Sequence, residues 1–229
     1  MDGQDVDFTR AIPGWSQPGL DVSGWARVGL PDLTAEGRLT TSPAPPVRRV
    51  QTLAPVAITN PRPGVQVVDF GQIINGRVRL TAPAGQVTLT HGEALGPDGD
   101  VTMEHLAAHD HATGTRLDTG QRDRVTGDGG EVFEPRHTTH GFRYVRVEGH
   151  DGPLEIEAVV VHTDLRRTGW FRCGDVRINR LHEAAVWSFR GNACDSPPTA
   201  RSGSAPASPA TGRSFCPPRP TSTTSPASR

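Results

Sequence analysis

Lysine is absent from this 229-residue chain, and all 24 basic residues are arginine. Lysine codons are rich in A and T, so the bias points to a GC-rich gene. Cysteine is scarce: Cys173, Cys194 and Cys216 are an odd number with no Cys-x-x-Cys spacing. That fits reduced thiols and argues against a disulfide framework or a thiolate zinc site. Aromatic residues reach only 5% and hydrophobic residues 34%, which speaks against an all-helical bundle. An excess of either charge is missing too, with 24 basic against 25 acidic residues and a net charge of −1. Without such a field, neither polyanionic nucleic acid nor an acidic membrane surface is expected as a partner. No apolar run approaches the roughly 20 residues that cross a bilayer. The opening Met1-Asp2-Gly3-Gln4-Asp5 is acidic where a secretory leader would be basic and then apolar. The expectation is a soluble chain without an export signal, with a cytoplasmic location favoured.

What is plentiful is glycine, at 26, and proline, at 21, the residues of turns. The chain is long enough for one large or two small domains. Residues 1–59 are loop-rich and carry Trp15 and Trp25, each beside a glycine. Such tryptophans commonly cap a β-sandwich core; the alternative is a stacking platform for a sugar, a role open to Trp170 as well. The prolines at 43, 45, 46, 61 and 63 exclude central strands there and predict connectors or edge segments. From residue 65 short apolar runs alternate with turns. Residues 65–70 read as a strand, 71–76 as a polar loop, 77–80 as a half-buried strand, and 86–91 as its hairpin partner across Pro83-Ala84-Gly85. Further strands are expected at 131–134, 141–148 and 154–162, which together predict a mainly β fold, an antiparallel β-sandwich. One amphipathic helix is predicted from the cap Asp175 through Arg190, on the spacing of Ile178, Leu181 and Ala185. Standing alone, it would expose Leu181, Val186, Trp187 and Phe189. From Ser196 onward no acidic residue occurs and Phe215 is the only large apolar one, so this tail is expected to be disordered.

The candidate chemistry is thin. His105, His109 and His111, with Asp110, have the spacing of a metal site, against a plainer reading as a polar loop, which is preferred. Asp98 and Asp100 flank Gly99 as in part of a calcium loop, but the later glutamate is missing and a turn is favoured. His137 and His140 lack a nucleophile and read as structural. Glu93, Glu104, Glu131, Glu134, Glu155 and Glu157 read as surface charge. No catalytic residue is assigned and no cofactor is expected.

Several runs, in order, carry a resemblance. They are Val68-Asp69-Phe70-Gly71-Gln72, Gly76-Arg77-Val78-Arg79-Leu80, His91-Gly92-Glu93-Ala94-Leu95 with Pro97-Asp98-Gly99, Phe133-Glu134-Pro135-Arg136-His137, His140-Gly141-Phe142-Arg143-Tyr144-Val145, Val160-Val161-His162-Thr163-Asp164, Thr168-Gly169-Trp170-Phe171 and Arg190-Gly191-Asn192-Ala193-Cys194-Asp195. Over about 130 residues this resembles the bacterial α-L-rhamnosidase family of glycoside hydrolases. The resemblance implies a concanavalin-like β-sandwich ahead of an (α/α) barrel that holds the active site. There, terminal α-L-rhamnose would be released from glycosides with inversion, by a carboxyl pair standing roughly 6.5–9.5 Å apart. It divides the chain into the end of a preceding β module at 1–59, the sandwich at 60–165, a linker and first barrel helix at 166–192, and a tail at 193–229. A rhamnose-containing glycoside is the partner implied for an intact parent.

The family's next motif, Asp-Cys-Pro-Gln-Arg-Glu-Arg followed by Gly-Asp, is missing after Asp195. Written in GC-rich codons and read one base earlier, residues 199–212 become Asp-Cys-Pro-Gln-Arg-Glu-Arg-Ala-Gly-Gln-Pro-Gly-Asp-Trp. The expectation is therefore a fragment whose tail is translated out of frame and which lacks catalysis, Asp195 included. The alternatives are a stand-alone carbohydrate-binding module using Trp15, Trp25 or Trp170, and a metal-binding protein using His105, His109 and His111.

Overall fold

The computed structural model describes residues 3–29, 41, 44–104, 108–109, 113–117 and 120–194, with backbone alone at 108, 109, 116 and 117. The tail from Asp195 onward, with Cys216, and the residues His105, Asp110 and His111 lie outside the described residues. In chain order the strands are β1 (Asp5–Asp7), β2 (Val47–Leu53), β3 (Ala57–Arg62), β4 (Val65–Thr81), β5 (Gly85–Gly92), β6 (Ala94–Leu95), β7 (Val101–Thr102), β8 (Ala108–His109), β9 (Arg116–Leu117), β10 (Arg122–Gly127), β11 (Val132–Phe133), β12 (His140–Glu148) and β13 (Ile156–Thr163), followed by the helix α1 (Val176–Asn192). A nine-stranded sheet runs β1-β10-β5-β12-β4-β13-β2, with β3 and β11 also on β4, and two small ribbons pair β6 with β7 and β8 with β9. The pairs are antiparallel except β1 with β10. The sheet curls over its core.

β4 is the hub. Its first half is flanked by β3 and β12, its second by β13 and β11. Flanked on both sides, it is buried along most of its length. Val68, Phe70, Ile74, Val78 and Leu80 of this strand meet Val87 and Leu89 of β5, Val125 of β10, Phe142, Val145 and Val147 of β12, and Ala158 and Val160 of β13. Each fully buried Val, Leu or Phe contributes about 1.5–3 kcal/mol, so this one cluster carries the fold.

The pairing corrects two expectations. Residues 71–76 are not a loop but part of β4, and β5 pairs with β10 and β12 instead of forming a hairpin with β4. The loop signals have another use. Gly71 takes φ +74° beside a register shift between Phe142 and Tyr144 of β12, while the Asn75 amide donates to the Val161 carbonyl at 2.8 Å inside the core. At Gly76 a Cβ would meet the Val159 carbonyl oxygen at 2.3 Å, so only glycine admits β13 this closely. The shift on β12 also reverses the alternation, so that Phe142 on one side and Val145 and Val147 on the other all face the core. The prolines fall as expected: Pro61 sits in β3, which pairs only with β4, and Pro45 and Pro46 precede β2, which pairs only with β13.

Helix α1 begins where expected, its Asp175 cap accepting from the Arg177 N–H at 2.8 Å. Trp187, expected to be exposed, packs instead against the sheet core, with the Arg190 guanidinium 4.5 Å over its ring. Arg190 Nε donates to His162 Nε2 at 3.0 Å, and the Thr163 N–H donates to the Ala193 carbonyl. Ile178, Leu181 and Phe189 remain exposed. No described helix is long and apolar enough to cross a membrane.

Candidate functional site

The most concentrated chemistry lies inside the sandwich. On β5 the alternation that turns Val87 and Leu89 inward also turns His91 inward; on β10 Asp123 shares the inward parity of Val125; on β12 His140 shares that of Phe142. Three strands thus deliver two imidazoles and a carboxylate to one point. His91 and Asp123 are 0% exposed and His140 3%. The rings of His91 and His140 stack at 4.2 Å, and Phe142 meets His91 edge-on at 4.9 Å. His140 Nε2 bonds Asp123 Oδ1 at 3.3 Å and lies 3.2 Å from Oδ2. The Gln4 N–H donates to Oδ1 at 2.8 Å.

The protonation pattern follows from burial and partners. Burial pushes the His91 pKa down to about 3, and the neighbouring His140 adds to this, against the opposing pull of Asp123 and the Gln121 carbonyl. His91 is therefore neutral, and its Nδ1, 3.1 Å from the Gln121 carbonyl oxygen, must carry the hydrogen. Nε2 is left with a lone pair. Burial raises the Asp123 pKa, but the bond from His140, the electrostatic influence of the two neighbouring imidazoles and the Gln4 N–H outweigh it and hold the carboxyl below its ordinary value. A sugar cannot reach this sealed trio, so it is not a glycosidase acid–base pair.

Two further carboxylates are paired with arginine. Asp100 is tied to Arg62 and, at 3.4 Å, to Arg146. Burial raises its pKa, but the Arg62 bond, the Val101 N–H and the arginine charges leave it lowered. Thr90, Asp98, Met103 and Arg122 join Asp100 and Arg146 around an open groove of about 530 Å³. Asp69 receives both Nε and a terminal nitrogen of Arg143 at 2.8 Å, as well as the Gly71 N–H; the Arg143 bonds, ahead of the rest, hold its carboxyl low. With these carboxylates committed to guanidinium partners, neither is a free base.

The sequence-derived candidates scatter. Trp15, Trp25 and Trp170 are 62%, 52% and 77% exposed. The core-capping expectation for Trp15 and Trp25 therefore fails: the described residues around them are exposed turns that offer no core to cap. Of the loop histidines, His105 and His111 are outside the described residues and His109 is described only as backbone in β8. Asp98 and Asp100 form the expected turn, Asp98 accepting from the Asp100 N–H. His137 is exposed, whereas His140 is buried and hydrogen-bonded, as a structural reading requires. Glu134 is not surface charge: its side chain is 8% exposed and pairs with Arg49 at 2.9 Å. Among the described residues, Cys173 and Cys194 form no disulfide. Sequence reasoning missed Asp123 altogether. The usable signal was the alternation of Asp123, Val125 and Gly127 against the flanking polar residues.

A sequence model described as the bacterial alpha-L-rhamnosidase concanavalin-like domain matches residues 59–162. An alpha-L-rhamnosidase of Streptomyces avermitilis is 35% identical over 198 residues, covering 84% of this chain and 18% of that protein. One of an Alteromonas species is 32% identical over 205 residues, covering 86% and 21%. Among solved structures, the Streptomyces avermitilis alpha-L-rhamnosidase complexed with L-rhamnose superposes with a TM-score of 0.75 at 33% identity, over 86% of this chain and 19% of that one. The alpha-L-rhamnosidase from Dictyoglumus thermophilum gives 0.73 at 30%, over 86% and 22%. The chain thus spans about a fifth of the length of these relatives.

Proposed function

We propose that this chain, whose residues 59–162 match the alpha-L-rhamnosidase concanavalin-like domain and which spans about a fifth of the length of its relatives, is the β scaffold of such an enzyme and has no hydrolytic activity of its own. The whole protein would release terminal α-L-rhamnose from glycosides with inversion, by a general acid and a general base in an (α/α) barrel. In this reading residues 1–59 close a preceding β module, 60–165 are the sandwich, 166–192 are the linker and first barrel helix, and 193–229 are out-of-frame translation.

The observation that carries the reading is where the chemistry sits. The cluster of His91, Asp123 and His140 is sealed inside the sandwich, and the carboxylates of Asp69 and Asp100 are each paired with arginine. The test is hydrolysis of an aryl α-L-rhamnoside. The purified chain is expected to give no turnover, and the product of a gene with one base restored near codon 195 is expected to be active. Turnover by the chain as it stands would overturn the reading, as would a gene sequence without the slip.

The exposure of Trp15, Trp25 and Trp170 favours a second reading, a carbohydrate-binding module. It requires a saturable change in tryptophan fluorescence on titration with rhamnosides, lost on substitution of the responsible tryptophan by alanine.

A further inference from the structure

The scaffold reading gives the buried trio of His91, Asp123 and His140 no chemical role, yet the trio contains an arrangement that packing alone does not account for. His91 Nε2 and Asp123 Oδ2 are buried, stand 3.8 Å apart, and make no hydrogen bond, although His140 Nε2, bonded to the other carboxylate oxygen, lies 3.2 Å from Oδ2. Both are acceptors: the first carries the lone pair left when Nδ1 donates to Gln121, the second belongs to a carboxylate whose other oxygen is already held by the Gln4 N–H and by His140. Two facing acceptors repel, and the gap is too long for one proton to bridge. A cation between them satisfies both.

We propose that these three side chains bind one divalent transition-metal ion, of which zinc is the type, through His91 Nε2, Asp123 Oδ2 and His140 Nε2. The donor set is two imidazoles and a carboxylate, which suits zinc and its neighbours better than calcium or magnesium. One ligand atom from each residue lies within 4.8 Å of those of the other two. Tetrahedral bonds of about 2.0–2.1 Å place donors roughly 3.3 Å apart. The separations from Asp123 Oδ2 to His140 Nε2 and to His91 Nε2, 3.2 and 3.8 Å, bracket that value. The bond from His91 Nδ1–H to a backbone carbonyl is the support that fixes the tautomer and aim of metal-bound imidazoles.

Binding requires one rearrangement. The two rings are stacked with planes 24° apart, so their in-plane lone pairs run side by side instead of converging. His140 must turn out of the stack, the hydrogen on its Nε2 must be exchanged through solvent so that the neutral ring carries its hydrogen on Nδ1, and its bond to Asp123 Oδ1 is replaced by the metal bond. Because the ligands come from β5, β10 and β12, the ion would tie three strands together, and its role is structural.

The test uses the full chain, stripped with a chelator and kept reduced, and titrated with Zn²⁺ and with Co²⁺. One equivalent should bind, raise the unfolding temperature, and give a visible Co²⁺ spectrum of tetrahedral intensity without a thiolate charge-transfer band. Asp123→Asn and His91→Gln should weaken binding at least about tenfold, whereas the triple variant His105→Ala, His109→Ala, His111→Ala should retain it. In ¹⁵N-labelled wild-type chain the His91 Nε2 resonance should move on adding Zn²⁺, a readout that survives if the variants fail to fold. Absence of uptake by the folded chain overturns the proposal. So does a thiolate band, loss of binding in the loop variant, or a His91 resonance that stays still.

Discussion

At the scale of single residues, the sealed trio makes the fold sensitive to acid. An unfolded histidine titrates near pH 6.5, whereas His91 in the fold is held to about 3. The folded state thus disfavours the charged form. Its contribution is fully present above about pH 6.5 and is lost as the pH falls toward 3, because the unfolded chain takes up the proton first. Asp123, whose pKa is lowered, acts with the same sign at more acid pH: its contribution is present above the ordinary carboxylate range and disappears below it. In metal-free chain, stability from urea unfolding should fall by about 2 kcal/mol between pH 7 and pH 5 on account of His91 alone. His91→Gln should flatten that slope, and a flat slope in the wild type would refute the assignment of a neutral, buried His91. Little of this was legible in advance. His91 could be placed on a strand, but an aspartate between Arg122 and Arg124 reads as solvent-facing, and only the three-dimensional partnership with His140 and the Gln4 N–H makes its burial tolerable.

At the scale of elements, legibility follows the strength of the local signal. Helix α1 was readable because a cap and a 3.6-residue stripe are both local properties. β4 was not readable as one strand because Gly71, Asn75 and Gly76 carry the marks of a loop, and what they do instead depends on strands far away in sequence. The attachment of α1 is another such distant property. It rests on Trp187 against the core and on the hydrogen bond from Arg190 to His162, while much of the rest of its apolar stripe is exposed. Arg190→Ala should therefore loosen the helix without unfolding the sheet. Amide exchange across residues 176–192 should quicken, with exchange in β4 and β12 unchanged; equal acceleration in all three would show that the helix is integral to the sheet's stability.

At the scale of the whole molecule, the fold class and the likeness to alpha-L-rhamnosidases were legible, because a series of short motifs in fixed order constrains a fold more than any one of them. The pairing order was not, since alternation reports which face of a strand is buried and says nothing of its neighbour. The one parallel pairing in the sheet, β1 with β10, has a practical consequence. Gln4 donates its N–H to Asp123, and Gly3 lies so near the Arg122 carbonyl that a Cβ there would stand 1.9 Å from its oxygen. Residues 3–7 are in effect a plug over a buried anion, so deleting them should lower the unfolding temperature far more than deleting an equal length of exposed loop. A cleavable fusion partner would need its scar kept clear of Gly3, and any recombinant design that begins at residue 59, where the family match starts, would leave Asp123 open to water.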